Sequence, residues 1–440
     1  MPLLTVPQVL ALSPDDASAK AARGLVKPAK WVTLGAAETG LWGECQGSGA
    51  KPYQVMVDAS GFGTKCSCPS RKFPCKHGLA LMLMHAEGTG KFAGDPPVWF
   101  SEWLSGRKER AEKQAAKKEA AAEAPPPDPA KAAKRQEARL DRMRAGASWL
   151  GLWMRDLVRE GLADLPSRPS SFWRETAARM VDAQTPGLGR RVEEMESLLY
   201  SGTDWPVKLL AAMGRTQLLL DALEKFDALP AGLQADVRTA LGWAQEKDAA
   251  LTGEKVEDLW TVNAVVYEEN GPLHERRVWL SGNRTGRAAL LLDFSHGGRK
   301  FEMPFVHGTQ MEAALTYFPA AAPLRAVPGE MKGPAAAAAG LAGGGSFGEA
   351  LEGISGRMAA NPWLQRHPVA LRGAKVRREG TAWGMQDSAG ADVPVRLPEA
   401  GGWMLAAVSG GEPVDVFGEW AGGVLYPLTA CCSGWISLTD

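Results

Sequence analysis

Cysteine and histidine are scarce in this chain, six of each among 440 residues. Net charge is missing too: 50 Lys and Arg balance 50 Asp and Glu. That balance argues against a globally basic nucleic-acid coat, while leaving a local patch open. No apolar run reaches the roughly eighteen residues of a membrane helix; the Ala-rich stretch around 319–345 is interrupted by Pro, Gly, Arg, Glu and Lys. The first residues lack a basic segment followed by a long apolar core, so no secretory signal is expected and the chain reads as a soluble cytoplasmic protein. Catalytic motifs fail one by one. Gly88-Thr-Gly90-Lys91 lacks the Gly and the Ser/Thr of a phosphate loop, with His85 and Phe92 in those places. Gly353-Ile-Ser355-Gly356-Arg357 ends on Arg where a nucleophile elbow needs Gly. His274, His296, His307 and His367 are scattered, and Glu193-Glu194 and Glu268-Glu269 have no special context. The expectation is that this is not an enzyme. What the chain has is 45% apolar residues and 16 tryptophans, enough for well-cored domains, and a length that suggests two to four of them.

The scarce ligands are not spread evenly. Cys66-Ser67-Cys68 and Cys75-Lys76-His77 place four soft-metal donors in a twelve-residue window. Thiolate and imidazole suit zinc, whose structural sites take four such ligands. In a strand, residues i and i+2 share a face, so Cys66 and Cys68 present both sulfurs to one ion. The segment Pro52–Asp58 has strand character and is the expected hairpin partner. Pro69 and Pro74 stiffen the connection. Cys75 and His77 fall where a helix begins, with Leu79, Leu81, Met82, Leu83 and Met84 as its apolar body. Open N–H groups at a helix start favour the Cys75 thiolate. The expected cofactor is one structural Zn2+ held by Cys66, Cys68, Cys75 and His77. Disulfide pairs, or unliganded thiols beside a core histidine, are the competing readings, although a Cys-x-Cys disulfide closes a strained small ring. His85 is rejected as a ligand, since eight residues of helix displace it about 12 Å along the axis. Cys45 reads as a small buried residue, and the adjacent Cys431 and Cys432 as core packing.

The order Cys-x-Cys, short spacer, Cys-x-His resembles the SWIM-type zinc finger, a strand-strand-zinc-helix module. Ser18-Ala-Lys-Ala-Ala-Arg-Gly24, Trp42-Gly-Glu-Cys-Gln-Gly47 and Cys68-Pro-Ser-Arg-Lys-Phe-Pro-Cys-Lys-His-Gly78 look like a group of bacterial SWIM-finger proteins. The likeness is carried by about the first hundred residues. Relatives of that kind accompany a MoxR-type AAA+ ATPase and a von Willebrand A-domain protein. The resemblance therefore implies an adaptor that makes protein contacts in an ATPase-linked assembly. The alternative is a DNA-binding protein using the finger's basic surface. Lys65, Arg71, Lys72 and Lys76 surround the ligands, with no acidic residue between Thr64 and Gly78. These cations offset the negative charge of a Cys₃His zinc site, and with Phe73 among them they are the candidate contact residues for either partner.

The fold class read from the pattern is α+β, in four parts. Residues 1–105 form the small ββ-zinc-α finger domain. It should open with a helix over Asp15–Leu25 capped near Ser13, then a strand pair at Trp31–Leu34 and Gly40–Glu44. Trp31, Trp42 and Phe62 should pack around the zinc core, and Trp99, Phe100 and Trp103 should close the domain. Residues 106–145 are a charged Ala/Pro-rich linker with twelve basic and seven acidic residues. Its helix formers have no apolar face, so it reads as a solvated spacer, or else as a tail touching phosphates. Residues 146–255 are helical: Ala147–Val158, Ser171–Gln184, Leu188–Tyr200, Val207–Leu229 and Leu233–Glu246 are amphipathic segments punctuated by prolines. Residues 256–440 form a C-terminal antiparallel β-rich region. Strands are expected at Leu259–Glu268, Arg276–Ser281, Ala288–Phe294 and Lys300–Pro304. After a Gly/Ala-rich break at Gly333–Ser346 and a helix at Phe347–Ala360, further strands are expected at Val369–Leu371, Lys375–Arg378, Val393–Arg396, Trp403–Ser409, Pro413–Glu419 and Val424–Ser433.

Overall fold

The structure is a computed structural model, described for residues 4–47, 49, 51–59, 62–70, 72–107, 109, 129–243, 253–270, 273–296, 301, 303–432 and 434–439. It is an α+β chain of one small sheet, a helical bundle and two larger antiparallel sheets. No helix among the described residues is long and apolar enough to cross a membrane.

The finger region begins with two short helices, α1 (Val6–Ala11) and α2 (Asp16–Arg23). Asp15, not Ser13, caps α2: its carboxylate accepts the Ser18 N–H at 2.7 Å, the usual bond from N-cap to N3. Strands β1 (Trp31–Ala37), β2 (Gly40–Cys45), β3 (Tyr53–Asp58) and β4 (Thr64–Cys66) form an antiparallel sheet in chain order. Side chains alternate across it. Leu41, Val55 and Val57 face α3 (Lys76–Ala86), whose residues 77–84 are all buried between the sheet and the two short helices. Trp42 and Met56 project to the opposite face, where they pack with Phe100 and Trp103 of helix α4 (98–107). Trp31 and Phe62 join the α3 core, whereas Trp42 belongs to this second layer. The strand period, which separates neighbours Leu41 and Trp42, is the reason.

The bundle comprises α5 (Pro129–Glu160), α6 (Ser170–Asp182), α7 (Pro186–Leu198), α8 (Trp205–Glu224) and α9 (Ala231–Ala240). Helix α5 starts at Pro129, so residues 129–145 are helical rather than linker. Proline at a first helical turn lacks only an N–H that would be unsatisfied anyway. Residues 110–128 of the expected linker lie outside the described set. Met143, Leu150, Trp173, Met180, Val192, Leu209, Leu219 and Leu223 are among the buried residues of one bundle core.

Two sheets follow. The five-stranded sheet has the order β7-β6-β5-β8-β9, from β5 (Lys255–Asn270), β6 (Leu273–Gly282), β7 (Ala288–His296), β8 (Thr309–Tyr317) and β9 (Ala326–Ala337). The expected strand at Lys300–Pro304 does not form at residues 301, 303 and 304; residue 300 lies outside the described set. After helix α10 (Phe347–Ala360), the six-stranded sheet runs β12-β11-β10-β13-β14-β15. Its members are β10 (His367–Glu379), β11 (Ala382–Gln386), β12 (Asp392–Val393), β13 (Val414–Ala421), β14 (Val424–Cys431) and β15 (Trp435–Ser437). Trp403–Ser409, expected as a strand, is part of helix α11 (Glu399–Ser409). Its buried residues Gly401, Gly402, Leu405 and Ser409 recur at helical spacing, and Gly410 ends it at φ +60.

The two sheets meet through Ala264 and Trp279 on one side and Phe417, Leu428, Cys431 and Trp435 on the other. Glu419, 2% exposed at its side chain, sits in this interface. Its Oε1 accepts from Arg277 Nε at 3.0 Å and Trp279 Nε1 at 2.7 Å, and its Oε2 from Arg366 Nη1 at 2.7 Å. Removing one partner of a buried pair leaves the other charge uncompensated. Glu419→Ala should therefore cost about 3–5 kcal/mol in urea unfolding; a loss under about 1 kcal/mol would show that the network does not hold the sheets together. His307 gives a pH dependence of known sign. Burial pushes its imidazole down to about 4, so acidification protonates the unfolded chain first, and the stability present above the free-imidazole range falls as pH drops towards 4. The wild type should lose stability relative to His307→Gln between pH 6.5 and 5, by up to about 1.4 kcal/mol per pH unit; parallel urea midpoints for both proteins across that range would contradict it.

Candidate metal centre

Cys66 ends β4 opposite Val55 of β3, so its sulfur shares the face of Val55, the one that α3 covers. The Ser67 N–H donates to the Gln54 carbonyl, and the Gln54 N–H donates to Ser67 Oγ, both at 3.0 Å. These two bonds carry the β3 pairing past Cys66 and fix the turn that presents Cys68. Cys75 stands at the N-cap of α3, and His77 lies in its first turn against the Tyr53 ring, with centroids 5.1 Å apart. Strand end and helix start thus bring four donors together.

The donor atoms of Cys66, Cys68, Cys75 and His77 all lie within 4.8 Å of one another. His77 Nδ1 is 3.8 Å from the Cys66 sulfur and 4.0 Å from that of Cys75. A tetrahedral ion with Zn–S bonds of about 2.3 Å separates its sulfurs by about 3.8 Å, so the set fits one zinc ion. Among the described residues no other group of His, Cys, Asp and Glu gathers this way. The competing readings fall: all six cysteines are free of disulfides, and the four ligands converge. His85 lies edge-on to Phe92 at 5.2 Å. Cys45 is buried in the finger core, Cys431 is buried, and Cys432 is exposed.

The electrostatics suit a cation. The Cys75 thiol is pushed well down, chiefly because the Cys66 S–H donates to it, with His77 and the N–H groups of His77 and Gly78 adding to the effect against burial. Cys66 is pushed up as that donor and by its own burial, and Cys68 is raised by burial first. An ion that binds here displaces the remaining protons and takes over the charge they neutralise.

The expected contact residues do not form one patch. Lys65 stands opposite Met56 in the β3–β4 ladder, so it leaves the sheet on the face away from the zinc ligands. Lys72 is paired with Asp15 at 2.8 Å, and that contact, with the Ser18 N–H, holds the Asp15 carboxyl down at about 2. Arg71 lies outside the described residues. Phe73 on the zinc loop and Lys76 at the first position of α3 remain exposed, Phe73 at 55%. Asp15 and Tyr53 were not anticipated. Asp15 anchors the loop from a helix cap some sixty residues away in the chain, a contact that no local motif signals. Tyr53 opens the strand before the ligands, and its place beside His77 follows only once β3 and α3 are packed together.

Comparison with family models gives two matches, a SWIM zinc finger over residues 53–86 and a SWIM-associated four-helix bundle domain over residues 138–241. The chain carries a SWIM-type zinc finger and a SWIM-associated helical bundle. The finger match spans all four donors together with β3, β4 and α3. The bundle match begins within α5 and ends just past α9. No curated protein and no solved structure gave a match. The four donors of the SWIM finger fit a structural zinc ion, which they would hold with four protein ligands. Cys75→Ser should abolish stoichiometric zinc and strip amide protection from residues 53–86, because metal binding contributes folding energy in such modules. Elemental analysis and hydrogen exchange read both; one zinc per chain with protection intact would refute this ligand assignment.

Proposed function

We propose that this SWIM-finger protein acts by contact rather than turnover, as an adaptor whose zinc loop engages a protein partner. The observation that carries this reading is Phe73. Its ring stands 55% exposed between two ligand pairs, in a loop held by the metal at both ends and by the Lys72–Asp15 pair beside it. An apolar ring in water on a rigid support is a preorganised anchor, the kind of residue that dominates interface energetics. The resemblance to bacterial SWIM-finger proteins suggests the partner class, a MoxR-type AAA+ ATPase together with a von Willebrand A-domain protein. With such an ATPase, Phe73→Ala should weaken binding at least about tenfold, a loss within the range of aromatic hot spots, while zinc content stays unchanged. Equal affinity in the variant, or no binding by the wild type in calorimetry, would reject the adaptor role.

A second observation favours nucleic acid. β1 starts, β2 ends and β3 starts at the same end of the finger sheet, and Lys30, Lys51 and Lys76 are exposed there. Lys76 and Lys30 both lie close enough to act on the Cys45 thiol, and no ion pair among the described residues engages any of the three. Three phosphate contacts predict a log–log salt slope of about −2.7 on duplex DNA. Fluorescence anisotropy with random DNA should show that slope if this end binds backbone, and the Lys30/Lys76 double alanine variant should weaken binding and cut the slope to about −0.9. Absence of binding at low salt would leave the protein partner alone.

A further inference from the structure

Residues 305–308, which lead into β8, contribute to two cores and lie against a third. Phe305 is buried with Trp260 and Met311 of the five-stranded sheet. Val306 is buried in the finger core, with Val9, Leu79 and Leu83 among its members. Above it the Gln8 side-chain amide of α1 donates to the carbonyls of His307 at 3.1 Å and Gly308 at 3.3 Å. The Gly308 N–H donates to the Val262 carbonyl at 2.8 Å, and its own carbonyl accepts from the Ala338 N–H at 2.9 Å. Gly308 holds φ +75 so close under Trp435 of the six-stranded sheet that a Cβ would meet the indole at 2.4 Å. The Trp435 Nε1–H donates to the Ala338 carbonyl at 3.0 Å. A second strap, from the Ala335 N–H to the Ala59 carbonyl at 3.4 Å, ties β9 to the finger, and Ala335 is also buried in the finger core.

The finger's grip on this segment depends on support it does not own. Helix α1 has six residues, too few to be stable alone. It is held by packing on α3, whose N-cap and first turn carry the zinc ligands Cys75 and His77. We propose that residues 305–308 form a junction through which the two C-terminal sheets sense occupancy of the zinc centre. Metal loading tightens the junction through α3 and α1, and metal loss loosens it. Linkage makes the effect reciprocal: whatever stabilises the junction from the sheets raises zinc affinity by the same factor.

Hydrogen exchange on the full chain, zinc-loaded and after metal removal by a chelator, tests this directly. Exchange over residues 306–317 and 335–341 should rise at least about fivefold on metal removal, the lower end of ordinary site-to-site coupling, while α6 and α7 stay unchanged. A rise confined to the finger, or one spread equally into α6 and α7, overturns the proposal. Gln8→Met removes both donors at similar volume and should lower zinc affinity in chelator competition at least about fivefold; unchanged affinity in a folded variant also overturns it. Should that variant fail to fold, metal removal from the wild type decides alone.

Discussion

The finger depends on one cross-link, the closure of a strand end onto a helix start by four soft donors. β4 is three residues long and stands at a sheet edge, so ladder bonds give it little by themselves. Helix α3 is apolar almost all round, which makes it insoluble as a free element and obliges it to be covered on every side. Joining the two at Cys66, Cys68, Cys75 and His77 sets where the helix begins and which way it runs over the sheet. Structural zinc contributes roughly 10–16 kcal/mol in small finger modules, as much as a whole domain's net stability of about 5–15 kcal/mol. A term of that size decides whether the surrounding loop has a shape at all, and therefore whether Phe73 is held or free.

Around that centre the finger is larger than a metal-pinned hairpin. Its sheet has two covered faces, one under α3 and the other under α4. It is bonded through Gln8 and Ala59 to the five-stranded sheet. The two C-terminal sheets are joined in turn by apolar residues and by the buried Glu419 with its three donors. Such networks specify one arrangement strongly because each unmade bond leaves a desolvated group behind. The zinc loop is thus carried on a framework whose parts constrain each other.

The ligand cluster was legible because its chemistry is local. Cys-x-Cys matches the two-residue period of a strand, Cys-x-His matches a helix start, and the folded chain needs only to bring the two together. The bundle was legible for a similar reason, since Leu209, Met213, Leu220 and Leu223 repeat at helical spacing and are buried. Strands β8 and β9 were not legible. β9 reads Ala-Val-Pro-Gly-Glu-Met-Lys-Gly-Pro-Ala-Ala-Ala, a string of poor strand formers, and it is extended because it pairs with β8 and straps onto the finger. Trp403–Ser409 failed in the other direction. Its aromatic and aliphatic residues suggest a strand, yet burial on one face at helical spacing won.

By itself the sequence determined the metal, its four ligands, the strand-to-helix form of the centre and the helical character of the middle third, because each rests on spacing within a few residues. Tertiary structure alone decided which cations remain available. Lys65 is turned away by strand alternation, Lys72 is occupied by Asp15, and Lys30 comes to the same end of the finger as Lys76 only when the sheet and α3 are packed together. It also decided that the finger shares a core with the five-stranded sheet, more than two hundred residues further along the chain. Contacts at that separation leave no local pattern, since burial and pairing across a folded interface depend on shape and not on neighbours in sequence.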